Sequence, residues 1–184
     1  MISIAILVGG KGTRVQSITN GKSKAEIKLD KKNKIIDYQL TELTKLKKKI
    51  YIISNKNFLS LKQYVNRKYQ NNKINFIDEN SQLGTAGAIK NLETFKHNQD
   101  FLIVFGDLLF NFNFEKLIKF HKRKKSKCTL VVHPNSHPKD SDCVELNDDS
   151  QVVEFYKKPH NKKKIINNLC LSGILIINKK FLKL

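Results

Sequence analysis

The sequence predicts an α/β fold, with a mostly parallel, mixed sheet covered by helices on both faces and a small β-rich annex after it. Three observations predict it. Apolar, β-rich runs recur along the first two thirds of the chain, and helical patterns lie between them. The runs are short and almost wholly apolar, as in strands buried on both faces. After residue 132 the texture changes to polar and acidic segments with short strand patterns.

In chain order, the first strand is 2–8, Ile-Ser-Ile-Ala-Ile-Leu-Val. It has no basic region before it and no small-residue cleavage site after it, so it reads as a buried strand and not as a signal peptide. A helix follows over 36–46, with Ile36, Leu40, Leu43 and Leu46 on one face. Strand 49–54, helix 59–69, strand 73–77, helix 85–95 and strand 101–105 come next. The helix at 114–124 carries Leu117, Ile118 and His121 at helical spacing, and strand 129–132 closes this core. In the remainder, 135–150 holds Asp140, Asp142, Glu145, Asp148 and Asp149. Short strands are predicted at 143–146 and 152–156, a Lys-rich loop at 159–164, and an apolar stretch at 165–177. The division predicted is a core at 1–132 and an annex at 133–184 within one domain.

A chain of 184 residues with 40% hydrophobic residues can bury a sizeable core. No apolar run approaches the ~18 residues of a membrane-spanning helix. The net charge is +19, yet Arg occurs only at 14, 67 and 123. Arg is the preferred reader of bases and phosphates, Lys is spread along the whole chain, and there is no Trp. The charge therefore reads as a solvated Lys surface suited to anionic small molecules, with nucleic-acid binding the weaker alternative. Cys128, Cys143 and Cys170 are far apart, form no Cys-x-x-Cys pair and have no His at zinc-ligand spacing. They are expected to be reduced thiols of a cytoplasmic protein.

In an open α/β sheet, ligands bind beyond the carboxyl ends of the strands. Three segments fall there. The first is Gly9-Gly10-Lys11-Gly12-Thr13-Arg14, after strand 2–8. Glycines allow a sharp turn and close approach to a ligand, and successive free N–H groups form an anion-binding concavity. Lys11 and Arg14 add charge, and Arg grips phosphate bidentately. A P-loop ending at Gly21-Lys22-Ser23 is excluded, because its first glycine would fall on Gln16. The second segment is Leu83-Gly84-Thr85-Ala86-Gly87-Ala88, whose small residues let a flat ring or a phosphate lie against the backbone. The third is Phe105-Gly106-Asp107, a carboxylate held at the rim of the sheet, where a magnesium ligand among phosphates is often placed.

Together, in this order and spacing, the three segments resemble the sugar-1-phosphate nucleotidyltransferases, the nucleoside-diphosphate-sugar pyrophosphorylases. The family's G-G-x-G-T-R followed by a Lys looks like Gly9–Arg14 followed by Lys24, its L-G-T-A-G-A like Leu83–Ala88, and its metal-binding G-D like Gly106-Asp107. The resemblance runs from about 2 to 182 and implies a single nucleotidyltransferase domain with a Rossmann-like three-layer sandwich. A closer resemblance, to heptose-1-phosphate guanylyltransferase-type domains, lies in His133-Pro134-Asn135-Ser136-His137-Pro138, Asp140-Ser141-Asp142 and Lys158-Pro159-His160.

The resemblance implies condensation of a nucleoside triphosphate with a sugar 1-phosphate, releasing pyrophosphate, for surface glycan synthesis. GTP and a manno-heptose or mannose type of sugar follow from the closer resemblance. It implies that Arg14 and Lys24 neutralise the phosphates and that Asp107 is catalytic through a bound Mg²⁺. Leu7, Gly9, Gly10, Gly12, Thr13, Gly84, Thr85 and Gly87 would bind nucleotide, and Lys158 and Gly173 would meet the sugar phosphate. The chain departs from the pattern in Ser23-Lys24-Ala25-Glu26, which lacks the family's prolines. Lys157 stands where the family has Glu, and Leu171-Ser172-Gly173 stands where it has N-A-G. A later Asp in a D-I-G-T-type segment completes the family's metal site, and none lies within the 184 residues. That leaves three expectations: a shortened active form, completion by a partner chain or oligomer, or a catalytically weak nucleotide-binding subunit.

Overall fold

The computed structural model describes residues 2–10, 19–79, 84–95, 100–136, 138–159 and 168–183. The chain divides into two compact units, Met1–Thr129 with Leu175–Leu184, and Leu130–Ile174.

The first unit is built on four parallel strands. β1 (Ile2–Leu7) lies between β2 (Ile50–Asn55) and β4 (Asp100–Phe105), and β3 (Ile74–Glu79) lies beyond β2. The order is β3-β2-β1-β4. Ala5, Ile53, Phe101 and Ile103 are fully buried, and so are Ile4, Ile6, Ile52, Leu102 and Val104, which alternate with them along the strands. Successive strand residues point to opposite faces, so both faces of this sheet are covered. This is why the sequence shows apolar runs instead of alternation.

Helix α1 (Ile35–Thr44) buries Ile36, Leu40 and Leu43 at the expected helical spacing. Helix α2 (Leu59–Lys68) buries Leu61 and Val65. It is tied to α1 through Asp37, whose carboxylate accepts from Tyr64 Oη at 2.6 Å and Tyr69 Oη at 2.8 Å, with Lys68 Nζ 3.1 Å away. Helix α3 (Gly84–Lys90) tightens into a 3₁₀ turn at Asn91–Thr94, so the helix predicted over 85–95 is two elements. Ala88 and Leu92 from this pair join Ala5, Ile53, Phe101, Ile103 and Ile177 in one core cluster. Helix α4 (Phe114–Lys124) is capped by Asn113, which accepts from Lys116 N at 3.0 Å. Its buried His121 hydrogen-bonds Thr129 through Nδ1 at 2.7 Å.

Of the boundaries that differ from the sequence reading, two change what packs where. β3 runs on through Asp78 and Glu79, which pair with Ser54 and Asn55 of β2. Polar residues there look like the end of a strand, but the ladder to β2 carries them. Residues 175–184, grouped with the annex by sequence, belong to the first unit. Leu175, Ile177 and Leu182 pack in its core cluster, and Asn178 Nδ2 donates to Asp100 Oδ1 at 2.8 Å.

The second unit is antiparallel and holds most of β5 (Cys128–Pro134). β6 (Cys143–Leu146) pairs with β7 (Val152–Tyr156) and with β8 (Leu169–Asn178), and β5 pairs with β8. Cys143 stands opposite Cys170 with the sulfurs 3.2 Å apart, and both thiols are free and buried. Burial, then the neighbouring thiol, pushes Cys143 up to about 11. No helix among the described residues is long and apolar enough to cross a membrane.

Candidate active site

The strand order places β2 and β3 on one side of β1 and β4 on the other, so the chain changes direction across β1. Beyond the carboxyl ends of β1 and β4 such a sheet leaves a crevice. The local hydrogen bonds build that crevice from four segments.

Val8 N donates to Ile53 O at 2.9 Å, which holds the chain in the sheet until Gly9. Gly106 N donates to Leu7 O at 2.8 Å, fastening the turn after β4 to the end of β1. This approach requires glycine: a Cβ on Gly106 would lie 2.8 Å from Leu7 O and collide with Val8 Cγ1. Asp107 is set at the rim by that contact. Gln39 of α1 braces the same turn, with Nε2 donating to Phe105 O at 2.9 Å and Leu108 O at 2.8 Å.

Ser23 brings in the third segment. Its hydroxyl donates to Val8 O at 3.3 Å and accepts from Ala25 N at 3.3 Å, capping the 3₁₀ turn Lys24–Glu26. Lys24 is thereby delivered to the crevice, where Nζ lies 2.9 Å from Asp107 Oδ2. The two side chains are 37% and 43% exposed, so this ion pair faces the open cavity. The fourth segment is the start of α3, where Gly84 takes a φ of +69°. The cavity enclosed is about 440 Å³, within the usual range for small-molecule sites.

Glu79, at the end of β3, also lines this cavity. Only 5% of it is exposed, and its Oε1 is buried with no hydrogen-bond partner among the described residues. Burial pushes its carboxyl up from the ordinary value.

Leu7, Gly9, Gly10, Lys24, Gly84, Thr85 and Asp107, all singled out from the sequence, line this one cavity. Gly87 sits on α3 but not in the cavity wall, where Ala88 takes the place. Lys158 and Gly173 lie in the second unit. There Lys158 N donates to Asp142 Oδ1 at 3.0 Å, and Gly173 takes a φ of +80° that favours glycine. Gly12, Thr13 and Arg14, with Lys11, Leu83, His137 and His160, lie outside the described residues. Sequence reasoning missed Ser23, Gln39 and Glu79. Ser23 carried a signal, as a Ser at an N-cap position.

Among the described residues no cluster of three or more His, Cys, Asp or Glu could hold a metal ion. Asp107 offers one hard carboxylate in the same cavity wall as Gly9, Gly10 and Lys24. That donor set fits Mg²⁺, which keeps several waters and takes one or two carboxylates plus substrate phosphates.

Fold and cavity together define an α/β Rossmann-like domain, with glycine turns, a Lys and a rim carboxylate at the switch of strand order. Residues 4–184 match the family described as nucleotidyl transferase, and the chain belongs to that family. It is 25% identical over 200 residues to the glucose-1-phosphate adenylyltransferase of Rhodopirellula baltica, covering 96% of this chain and 45% of that one. It is 27% identical over 169 residues to the bifunctional protein GlmU of Methanococcus maripaludis, covering 92% and 38%. The chain thus spans less than half the length of these relatives. A putative glucose-1-phosphate thymidylyltransferase from Bacillus anthracis, solved with sucrose, superposes with a TM-score of 0.84 at 19% identity. That superposition covers 100% of this chain and 74% of the other, and the shared fold is the mixed α/β Rossmann-like sandwich.

Proposed function

We propose that the chain transfers a nucleotidyl group from a nucleoside triphosphate to a sugar 1-phosphate. The observation that carries this reading is the convergence of Gly9–Gly10, Lys24, Asp107 and Gly84–Thr85 on one cavity at the switch of strand order. In the reaction an oxygen of the sugar phosphate attacks the α-phosphorus in line. The bond from that phosphorus to the bridging oxygen breaks, and pyrophosphate leaves. No protein nucleophile is required, so the site has to position two anions and offset their charge. The backbone N–H groups at Gly9 and Gly10 suit a phosphate chain. Lys24 supplies a cation and Asp107 would hold Mg²⁺, which when bound offsets phosphate charge. We assign Arg14 and Thr13 to the same phosphates, and Lys158 and Gly173 to the sugar phosphate, on the family resemblance.

For the substrates we propose GTP with a manno-heptose or mannose 1-phosphate. The support is the His133–Pro138 and Lys158-Pro159-His160 motifs. The test is pyrophosphate release with Mg²⁺, each common nucleoside triphosphate and a panel of sugar 1-phosphates. Release with one pairing bears the reading out. Silence across the panel, with nucleotide still bound, overturns turnover by this chain alone and leaves a nucleotide-binding subunit that a partner completes.

A further inference from the structure

Lysines that look evenly spread along the sequence are gathered by the fold of the first unit. The crevice lies beyond the carboxyl ends of its parallel strands, and the segments that lead into those strands form the opposite, amino edge of the sheet. Lys47-Lys48-Lys49 lead into β2, and Lys73 leads into β3. Lys127 leads into β5, directly after the basic end of α4, Lys122-Arg123-Lys124-Lys125. Lys180 follows the end of β8. All of these side chains are exposed.

Backbone bonds set the segments side by side. Ile50 N donates to Lys73 O at 3.3 Å, Ile4 N to Lys49 O at 2.9 Å, and Asn178 N to Lys127 O at 2.9 Å. In the order β3-β2-β1-β4-β8 they cover an edge roughly 20 Å wide at the usual strand spacing. Among the described residues no ion pair joins Lys47–Lys49, Lys73, Lys127 or Lys180 to a carboxylate. Asp100, the acid that begins β4 here, is held by Asn178 Nδ2 at 2.8 Å. One apolar group shares the edge: Phe181, next to Lys180, is 38% exposed.

An edge of this kind attracts a polyanion, and its side chains say which. Nucleic-acid readers rely on Arg, which grips phosphate bidentately and pairs with base edges, and Arg123 is the one Arg in these segments. Lys is a compact, strongly hydrated point charge, suited to the diffuse field over a charged plane. Anionic lipid headgroups make such a plane, and an exposed Phe beside the lysines can enter the boundary between headgroups and acyl chains. We propose that the amino edge of this sheet docks on an anionic phospholipid surface. Docked in this way, the chain keeps its crevice, at the carboxyl ends of the same strands, open to water. The proposal stands whether or not the chain transfers a nucleotidyl group.

Vesicle flotation of the full chain tests it, with phosphatidylcholine alone and with about one third phosphatidylglycerol. Binding is expected to the anionic vesicles only. Raising salt from about 0.1 M to about 1 M shortens the screening length from about 10 Å to about 3 Å and should release the chain. Each lysine near an anionic surface is worth roughly fivefold in partitioning, so Lys48→Gln/Lys73→Gln/Lys127→Gln should bind about 100-fold more weakly. Lys28→Gln/Lys31→Gln/Lys56→Gln removes the same charge at exposed lysines outside these segments and should stay within about threefold of the wild type. Phe181→Ser should weaken binding severalfold and leave its salt dependence in place. Melting curves should match the wild type's in both triple variants, because the side chains replaced are exposed. No binding at about 0.1 M salt, or equal binding to neutral vesicles, overturns the proposal. So does a control variant that loses as much as the edge variant, which would mean that net charge alone is at work. Duplex or single-stranded DNA held more tightly than the anionic vesicles, and released by the edge variant, would make this edge a nucleic-acid site instead.

Discussion

Replacing Lys24 with Met separates the catalytic worth of its charge from its structural worth. The ammonium sits 2.9 Å from Asp107, and the two side chains are 37% and 43% exposed. An ion pair open to water to that degree contributes about 1 kcal/mol at most to folding. For a chain of this length that corresponds to a fall of roughly 4 °C or less in melting temperature. Turnover answers differently. Removing one preorganised group that faces developing charge typically costs about 2.7–4 kcal/mol of barrier, or ~10²–10³ in rate. Lys24→Met is therefore expected to melt nearly as the wild type does while pyrophosphate release falls by two to three orders of magnitude. Differential scanning fluorimetry and a coupled pyrophosphate assay on the same preparation read both quantities. A variant within threefold of wild-type turnover would refute the role of the charge. A melting temperature lower by 8 °C or more, with turnover lost in proportion, would show the pair to be a structural tie.

The other expectations bear on what holds the site and the fold. Gly106→Ala places a Cβ 2.8 Å from Leu7 O, a backbone atom that cannot swing aside. The overpacking should cost about 1–3 kcal/mol and lower the melting temperature by several degrees, whereas an unchanged melt would contradict the close approach. Burial pushes Asp37 up, but Lys34 N, Tyr64, Tyr69 and Lys68 outweigh it and hold the carboxyl below its ordinary 3.8. Its contribution is thus fully present above 3.8 and is lost as pH falls through the lowered folded value. Asp37→Asn should destabilise by about 2–4 kcal/mol at pH 7 and flatten that part of the acid melting profile. Cys143 and Cys170 should resist iodoacetamide in the folded chain and label in denaturant, as judged by mass spectrometry. Rapid labelling of either in the folded state would contradict their burial and the raised Cys143 thiol.

Much of the fold was legible because burial on both faces leaves a plain trace. The run Phe101–Val104 has no polar residue to assign to a solvent face, and every one of its side chains is fully buried. The helix at 114–124 was found in full because Leu117, Ile118 and His121 fall at helical spacing, and the structure adds the Asn113 cap at its start. The errors fall where a local pattern gives way to a distant partner. Asp78 and Glu79 lie past the predicted end of the strand, and only the ladder to Ser54 and Asn55 makes them strand. The chain from Leu175 onward looks continuous with the annex, and only its packing against the core cluster returns it to the first unit.

The candidate site shows the same division, and there it has a chemical meaning. Glycines at 9, 10, 84 and 106 could be read from sequence because few other roles require a glycine just past an apolar strand. Asp107 was found because it directly follows Gly106 at the end of an apolar strand, and Lys24 because of the family resemblance. These are the parts proposed to hold phosphate, whose charge is the same in every nucleotide. Glu79 has no such neighbour in sequence. Its position depends on β3 running on beside β2, and its chemistry depends on burial that no local pattern reveals. The local sequence therefore marks the glycine turns of the crevice, while the buried carboxylate in its wall appears only once the strands are paired.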